Sequence, residues 1–575
     1  MSHHGLHPRP TYADPAEIDA FVETLGRFER HEIDAEAWRA YRVVRGVYTQ
    51  RQDGVHMLRV KIPQGIASGQ QLRALAEVAR RWSRGFGHVT TRQNFQHHFV
   101  RPGDLEPALR KLAEAGLTTA GAGGNAVRNV VACPWAGVSP TETFDVTPYA
   151  EAMTRHFLRH PLASTLPRKF KIAFEGCRED HVATPLHDLG FRARTDGHGR
   201  RGFAVTVAGG TSSLCTSGAP LVDFLPAGEI LALAEAVVRV FHARGDRLNK
   251  HRNRLKFLVR ELGFEAFRSL VEEQRAAVTA ERAPRLPFDP QRAPETPAPR
   301  AVHAVEARPW VGTPALEAFQ AGNVRAQRQR GFVVVAASVP QGDLTAAQLE
   351  ALAGLAVTHG DGTVRFTSSG QVQLRWVRAE ELAGLHEALC AVGLGRPGAG
   401  SAADVVSCPG SEACRLAVTH TRGIARAIEE RLRACGGATL EVAFPVRVSG
   451  CPNGCSLHHA AAIGLQGSVR KIGGRAAPHY AVLVGGGVGE KGARFGTLAG
   501  KVPARRVPEA VERLVALYLA ERDPAESAGD FLARAKDRVV AALVDLRDLR
   551  SEDARAEDFV EPGLEQEFEC GECAA

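Results

Sequence analysis

No run in this chain is apolar and long enough to cross a bilayer, and the opening residues MSHHGLHPRPTYADPAE lack the apolar core of a secretory signal. These absences predict a cytoplasmic protein. No G-x-G-x-x-G stands in a strand-turn-helix setting. GGGVG (Gly485 to Gly489) follows a strand pattern without that layout, so no dinucleotide or flavin site is expected. Charge of one sign is not in large excess: 72 basic against 64 acidic residues leave +8 over 575 residues. That balance does not call for nucleic acid; acidic substrates, a polyanionic cofactor or an acidic protein partner fit equally well. The 11 cysteines are odd in number and carry no export signal with them, which argues for reduced thiols and metal ligation over a disulfide framework. Length and an ordinary apolar fraction predict a globular chain of about three or four domains.

What is present centres on Cys408 to Cys455. This stretch opens with SCPGSEACRLAVTHTRG and closes with RVSGCPNGCSLHH, giving the pairs Cys408 with Cys414 and Cys451 with Cys455. Each pair is close enough along the chain to grip one small metal centre, and Pro409, Gly410, Pro452 and Gly454 make the tight turns that converging thiolates need. Four soft sulfur ligands suit an iron-sulfur cluster or zinc. The spacings are not the C-x2-C of common zinc modules.

The chain also contains a repeat. Arg59–Leu117 aligns with Ala336–Leu394 without a gap, with Pro63-Gln64-Gly65 opposite Pro340-Gln341-Gly342, Gln96 opposite Gln373 and Gly116-Leu117 opposite Gly393-Leu394. Each copy reads strand, helix, strand, helix: in the first, His56–Ile62 alternates, Gln70–Trp82 has helical spacing, Val89–Val100 is extended and Leu105–Leu117 is helical. Beyond it, VACPWAG falls opposite VSCPGSEAC, and LPRKFKIAF (Leu166 to Phe174) opposite FPVRVSGCP (Phe444 to Pro452). The halves have diverged. Of the four cysteines only Cys408 has a clear counterpart, Cys133, while Arg59, Lys61 and Arg92 face Ala336, Ser338 and Ser369. One half is expected to hold the metal and the other to supply positive charge.

The resulting division is an N-terminal extension (1–44), a first half-domain (45–118), a first cofactor and substrate domain (119–282), a Pro-rich linker (283–312), a second half-domain (313–396), a metal-binding domain (397–550) and a tail (551–575). Lys169 and Lys171 lie two apart, on one side of an expected strand, and repel each other unless an anion sits between them. The basic run Arg247–Leu258 has no aromatic platform beside it, so a polyanionic cofactor suits it better than nucleic acid. Cys177, Cys215, Cys390 and Cys435 read as structural; Cys570 and Cys573, spaced C-x-x-C, read as incidental cysteines of a tail in preference to a redox or metal pair.

The set MLRVKIPQG, TTRQNFQ, VRNVVACP, LPRKFK, CPGSEAC and GCPNGC resembles the siroheme and [4Fe-4S] sulfite and nitrite reductases, over most of the chain. The resemblance implies an α/β (α+β) fold of three domains, internally duplicated with pseudo-twofold symmetry and ferredoxin-like half-domains. It implies that Cys408, Cys414, Cys451 and Cys455 ligate the cluster and that Cys455 is shared with siroheme. It places Arg59, Arg128, Lys169 and Lys171 on the substrate oxyanion, Arg92 and Gln96 on siroheme carboxylates, and Asn453 against the macrocycle. Arg254 stands where the family commonly has lysine. Tyr48 matches the tyrosine of a Tyr-Cys crosslink found in some relatives, but Ala126 occupies the partner position, so no crosslink is expected.

The expected reaction is the six-electron reduction of sulfite to sulfide, preferred over nitrite to ammonia because GVYTQR and GHVTTRQN resemble the bacterial sulfite enzymes more. Electrons are expected from a ferredoxin, with an NADPH flavoprotein subunit as the alternative. A four-cysteine cluster or zinc protein without siroheme, serving as carrier or scaffold, is the remaining reading.

Overall fold

The computed structural model describes residues 10–281, 283–294 and 312–569. Most of the Pro-rich 283–312 segment, and Cys570 and Cys573, lie outside the described residues. Both copies of the repeat begin with a strand, His56–Val60 or Phe332–Ala337, pass through Pro-Gln-Gly, and enter a helix, Gly69–Trp82 or Ala346–His359. The two helices start on the same device. Ser68 accepts from the Gln71 N–H at 3.2 Å while the Gln71 side chain accepts from the Ser68 N–H at 3.0 Å; Thr345 and Gln348 repeat it at 3.2 and 2.9 Å. This reciprocal cap satisfies two N–H groups that the first turn leaves open.

The copies are not separate bodies. Ile66–Ser68 of the first pairs with Thr363–Phe366 of the second, and Asp343–Thr345 of the second pairs with Phe86–Val89 of the first. Each five-stranded sheet is thus completed by a strand from the other copy. Leu58, Leu72 and Phe95 share one apolar core with Leu349, Phe366 and Leu374. The Pro-Gln-Gly turns are what allow the approach: Gly65 has φ +71° and a Cβ there would lie 2.4 Å from the Phe366 carbonyl oxygen, while Gly342, at φ +77°, would meet the Val89 carbonyl at 2.7 Å. Only glycine fits such a turn pressed against a neighbouring backbone.

Two further five-stranded sheets repeat one another. One runs Val131–Ala132, Ile172–Glu175, Leu189–Thr195, Arg201–Val207, Ala219–Pro226; the other runs Val406–Ser407, Val446–Ser449, Ile463–Ile472, Arg475–Val484, Thr497–Pro503. In both the first two pairings are parallel and the rest antiparallel. The architecture is a mixed α/β fold duplicated throughout.

Three local readings change. Val89–Val100 is a hairpin, Phe86–Val89 with Phe95–Val100, broken at Gln93 where φ is +53°. The following helix ends at Glu114, because Gly116 adopts φ +74° and closes its C-terminus. The ladders also correct the correspondence of LPRKFKIAF. Val131 pairs with Ala173 and Val406 with Arg447, so Ile172 corresponds to Val446 and not to Gly450. Shared Pro and basic letters drew the sequence match, whereas hydrogen-bond register sets the true one. Among the described residues no helix is long and apolar enough to cross a membrane.

Candidate active site

The four central cysteines come from two loops that follow the parallel strands Val406–Ser407 and Val446–Ser449. Gly410 and Gly454 take φ +63° and +65° and turn those loops back; a Cβ on Gly454 would lie 2.7 Å from His459 Nδ1. Burial and repulsion from Cys455 push the Cys408 thiol up to about 12, and burial holds Cys451 at about 11. Those values are what a cationic metal centre reverses, since metal binding stabilises the thiolate form. The Gly450 N–H already reaches Cys408 Sγ at 3.4 Å. Cys451 is buried, Cys408 and Cys414 half-buried, and Cys455 exposed, so Cys455 is the thiol a second group can reach.

The first half closes over these loops. The Thr91 hydroxyl donates to the Cys455 carbonyl at 2.7 Å, Arg51 Nη2 to the Ala417 carbonyl at 2.7 Å and Gln52 Nε2 to the Glu412 carbonyl at 2.8 Å. The Thr90–Asn94 loop thereby carries Arg92 to the cleft. Arg92 Nη2 donates to the carbonyls of Asn129 at 2.8 Å and Ile172 at 3.2 Å, while its buried Nε has no hydrogen-bond partner among the described residues.

The predicted cations converge. Arg59 pairs with Gln96 across the sheet, and with the Gln96 amide turned to face it, Nε and Nη2 donate to the amide oxygen at 3.0 and 2.8 Å. Arg128 Nη2 donates to the Gly124 carbonyl at 2.7 Å. Tyr48 lies between the two: its hydroxyl accepts from the Gly124 N–H at 2.8 Å and is 3.4 Å from Arg59 Nη1 and 3.5 Å from Arg128 Nη2. The position facing the Tyr48 ring is Gly123 and not Ala126: a Cβ on Gly123 would lie 2.6 Å from both Tyr48 Cε2 and the hydroxyl oxygen, and neither residue offers a sulfur. Lys169 and Lys171 flank Phe170, which bridges to Val127, with the strand proper starting at Ile172. No carboxylate among the described residues forms a salt bridge with either lysine. Burial, then Arg254, brings Lys169 down to about 7, and burial with Lys169 beside it holds Lys171 well below the ordinary lysine value. Lys169 also feels the Cys455 thiol, which puts the cationic wall and the exposed ligand in one cleft.

Two predicted residues have partners within the protein. Arg254 Nη2 donates to both oxygens of the fully buried Asp188 at 2.9 Å, so it acts on the cleft as part of an ion pair. Asn453 accepts from the Ser212 hydroxyl at 3.4 Å and its N–H supports the Cys451 sulfur. The basic run splits: Leu248 is exposed, whereas Lys256 turns inward and donates to the Thr211 carbonyl at 2.8 Å. Lys61 was not among the predicted site residues. It is 6% exposed, and burial with Arg128 nearby brings it to about 7. Its position two residues after Arg59, within the His56–Ile62 alternation, was the available signal, although the strand itself ends at Val60.

Uncompensated buried cations on this scale fit a polyanion, and four thiols at the same cleft fit a cluster. The family description "Nitrite and sulphite reductase 4Fe-4S domain" matches residues 123–278 and 399–540, and "Nitrite/Sulfite reductase ferredoxin-like half domain" matches 48–115 and 325–392. The chain belongs to the nitrite and sulphite reductase family. It is 32% identical over 459 residues to a ferredoxin–nitrite reductase of Leptolyngbya laminosa, covering 78% of this chain and 83% of that one. An assimilatory ferredoxin-dependent nitrite reductase of Haloferax mediterranei is 30% identical over 526 residues, covering 88% and 86%. The structure of Mycobacterium tuberculosis NirA protein superposes with a TM-score of 0.75 at 27% identity, over 90% of this chain and 95% of that one. A member of this family is an oxidoreductase whose cofactors are siroheme and a [4Fe-4S] cluster, and the donor sets above fit both.

Proposed function

We propose that the chain reduces nitrite to ammonium and two waters, taking six electrons from a ferredoxin and eight protons from solvent. The cleft that joins unpaired Lys169 and Lys171 to Cys455 supports reduction of a bound oxyanion. Nitrite over sulfite rests on the relatives, which are named ferredoxin–nitrite reductases at 30–33% identity over three quarters or more of the chain. The preference for sulfite drawn from GVYTQR and GHVTTRQN gives way to that; short motifs shared by both branches discriminate poorly. Sulfite remains the second reading because the family description covers both anions.

When bound, the siroheme and cluster would supply electrons one at a time for the reduction. Cys408, Cys414, Cys451 and Cys455 would hold the cluster, Cys455 being the exposed thiol of the four. Arg92, whose Nε has no partner among the described residues, and Gln96 take siroheme carboxylates. Arg254, already neutralised by Asp188, positions the lysine wall. Arg59 and Arg128 hold the anion by fork-shaped contacts. Lys169 and Lys171 donate protons to its oxygens, a task for which a lysine near 7 is suited and arginine is not.

The test is kcat/KM for nitrite against sulfite with reduced ferredoxin as donor. A nitrite preference of at least about tenfold, equivalent to about 1.4 kcal/mol, is expected. A preference for sulfite of that size overturns the reading.

A further inference from the structure

The duplicated sheets carry a second set of ligands. With Val131 equated to Val406 and Ala173 to Arg447, counting along the chain sets Cys133 against Cys408, Cys177 against Cys451 and His181 against Cys455. Ser139 stands where the second half has Cys414, so the fourth thiol is missing. Its place is taken by Glu175, the last residue of the Ile172–Glu175 strand.

These side chains meet. Cys133 Sγ lies 3.4 Å from Cys177 Sγ and 3.3 Å from His181 Nδ1, and His181 Nδ1 lies 3.6 Å from Glu175 Oε2. The four donor atoms are all within 4.8 Å of one another. Cys133 and Cys177 are buried, Glu175 is fully buried, and His181 sits under Trp135 with ring centroids 6.1 Å apart. The donors are held in place. Glu175 Oε1 accepts from the N–H groups of Gly176 and Cys177 at 2.9 Å each, and Oε2 from the His181 N–H at 2.7 Å. Arg192 Nη2 fixes the loop by donating to the Cys177 carbonyl at 3.1 Å.

We propose that Cys133, Cys177, His181 and Glu175 form a single-ion zinc site, pseudo-symmetric to the cluster site of the other half. Donor type separates the two sites. A tetrahedral zinc with bonds of about 2.3 Å to sulfur and about 2.0 Å to nitrogen needs donors roughly 3.3–3.8 Å apart, and the Cys133–Cys177, Cys133–His181 and His181–Glu175 separations of 3.4, 3.3 and 3.6 Å lie in that range. Two thiolates with one imidazole and one carboxylate suit zinc, each thiol releasing its proton to solvent on binding. The ion ties the turn after Val131–Ala132 to the turn after Ile172–Glu175, the latter strand carrying the Ile172 carbonyl that receives Arg92. Its role is structural, independent of which anion is reduced.

The test uses the full chain loaded with siroheme and cluster. Elemental analysis should find about one zinc per chain beside the cluster iron, and zinc-edge X-ray absorption a shell of two sulfurs at about 2.3 Å and two lighter atoms at about 2.0 Å. Cys133→Ser with Cys177→Ser should abolish the zinc and leave iron and siroheme absorption in place. If that pair does not fold, His181→Ala should speed zinc loss to EDTA by at least about tenfold. Less than about a tenth of an equivalent of zinc with no uptake of added Zn2+ overturns the proposal. So does a four-sulfur shell, which puts the ion in the cluster cysteines, or a Cys133–Cys177 disulfide in peptide mapping.

Discussion

At the scale of single residues, the lysines carry the sharpest consequence. Lys61 and Lys169 are brought to about 7, chiefly by burial, against about 10.4 in an unfolded chain. Between those values the unfolded chain binds protons that the folded chain does not, so the cofactor-free protein gains stability as pH rises above 7. Below 7 the full penalty of two buried charges is present. Each lysine contributes at most about 1.4 kcal/mol per pH unit. Lys169→Met should flatten the rise in Tm between pH 7 and 8, and an unchanged slope would show that Lys169 stays charged in the folded state. In the loaded enzyme the same variant should lower kcat/KM for nitrite by about a hundredfold or more while siroheme content stays near that of the parent. Equal loss of siroheme would assign Lys169 to cofactor binding instead.

At the scale of elements, the Pro-Gln-Gly turns explain why the repeat is recognisable there. Each turn places a glycine of positive φ against the other copy's backbone, so neither copy can change it alone. Gly65→Ala combines a left-handed alanine with a 2.4 Å contact to the Phe366 carbonyl and should cost about 2–4 kcal/mol. Gly103→Ala, in open space, should change stability by no more than about 1 kcal/mol. Urea unfolding of the two variants distinguishes them, and equal midpoints would mean the turns yield freely. The cap pairs Ser68 with Gln71 and Thr345 with Gln348 were readable in the same way, as local patterns repeated at a fixed offset.

At the scale of the whole molecule, strand exchange makes the two half-domains one folding unit. Residues 45–118 alone lack the Asp343–Thr345 strand and half of the apolar core. Expressed by themselves they should show no cooperative thermal transition, and coexpression with residues 313–396 should restore one. A sharp transition for the first fragment alone would show that the exchanged strand is dispensable. Exchange also keeps the cleft rigid, because the loop carrying Arg92 grows from a sheet that the other half completes.

The sequence by itself determined the chemistry of the site. Cysteines in two turn-embedded pairs, cations in Arg59, Arg92, Arg128, Lys169 and Lys171, and the offset repeat are properties of residue type and local spacing, which survive without knowledge of the fold. It left open what depends on long-range pairing. The Arg254 side chain is neutralised by Asp188, 66 residues away in the chain. The halves trade strands, a choice between two pairings that the same local pattern permits. Cys177 and His181 looked unrelated to Cys451 and Cys455 because the intervening segments match best in the wrong register; hydrogen bonding between parallel strands, a contact between distant parts of the chain, sets the register and brings the second ligand group together.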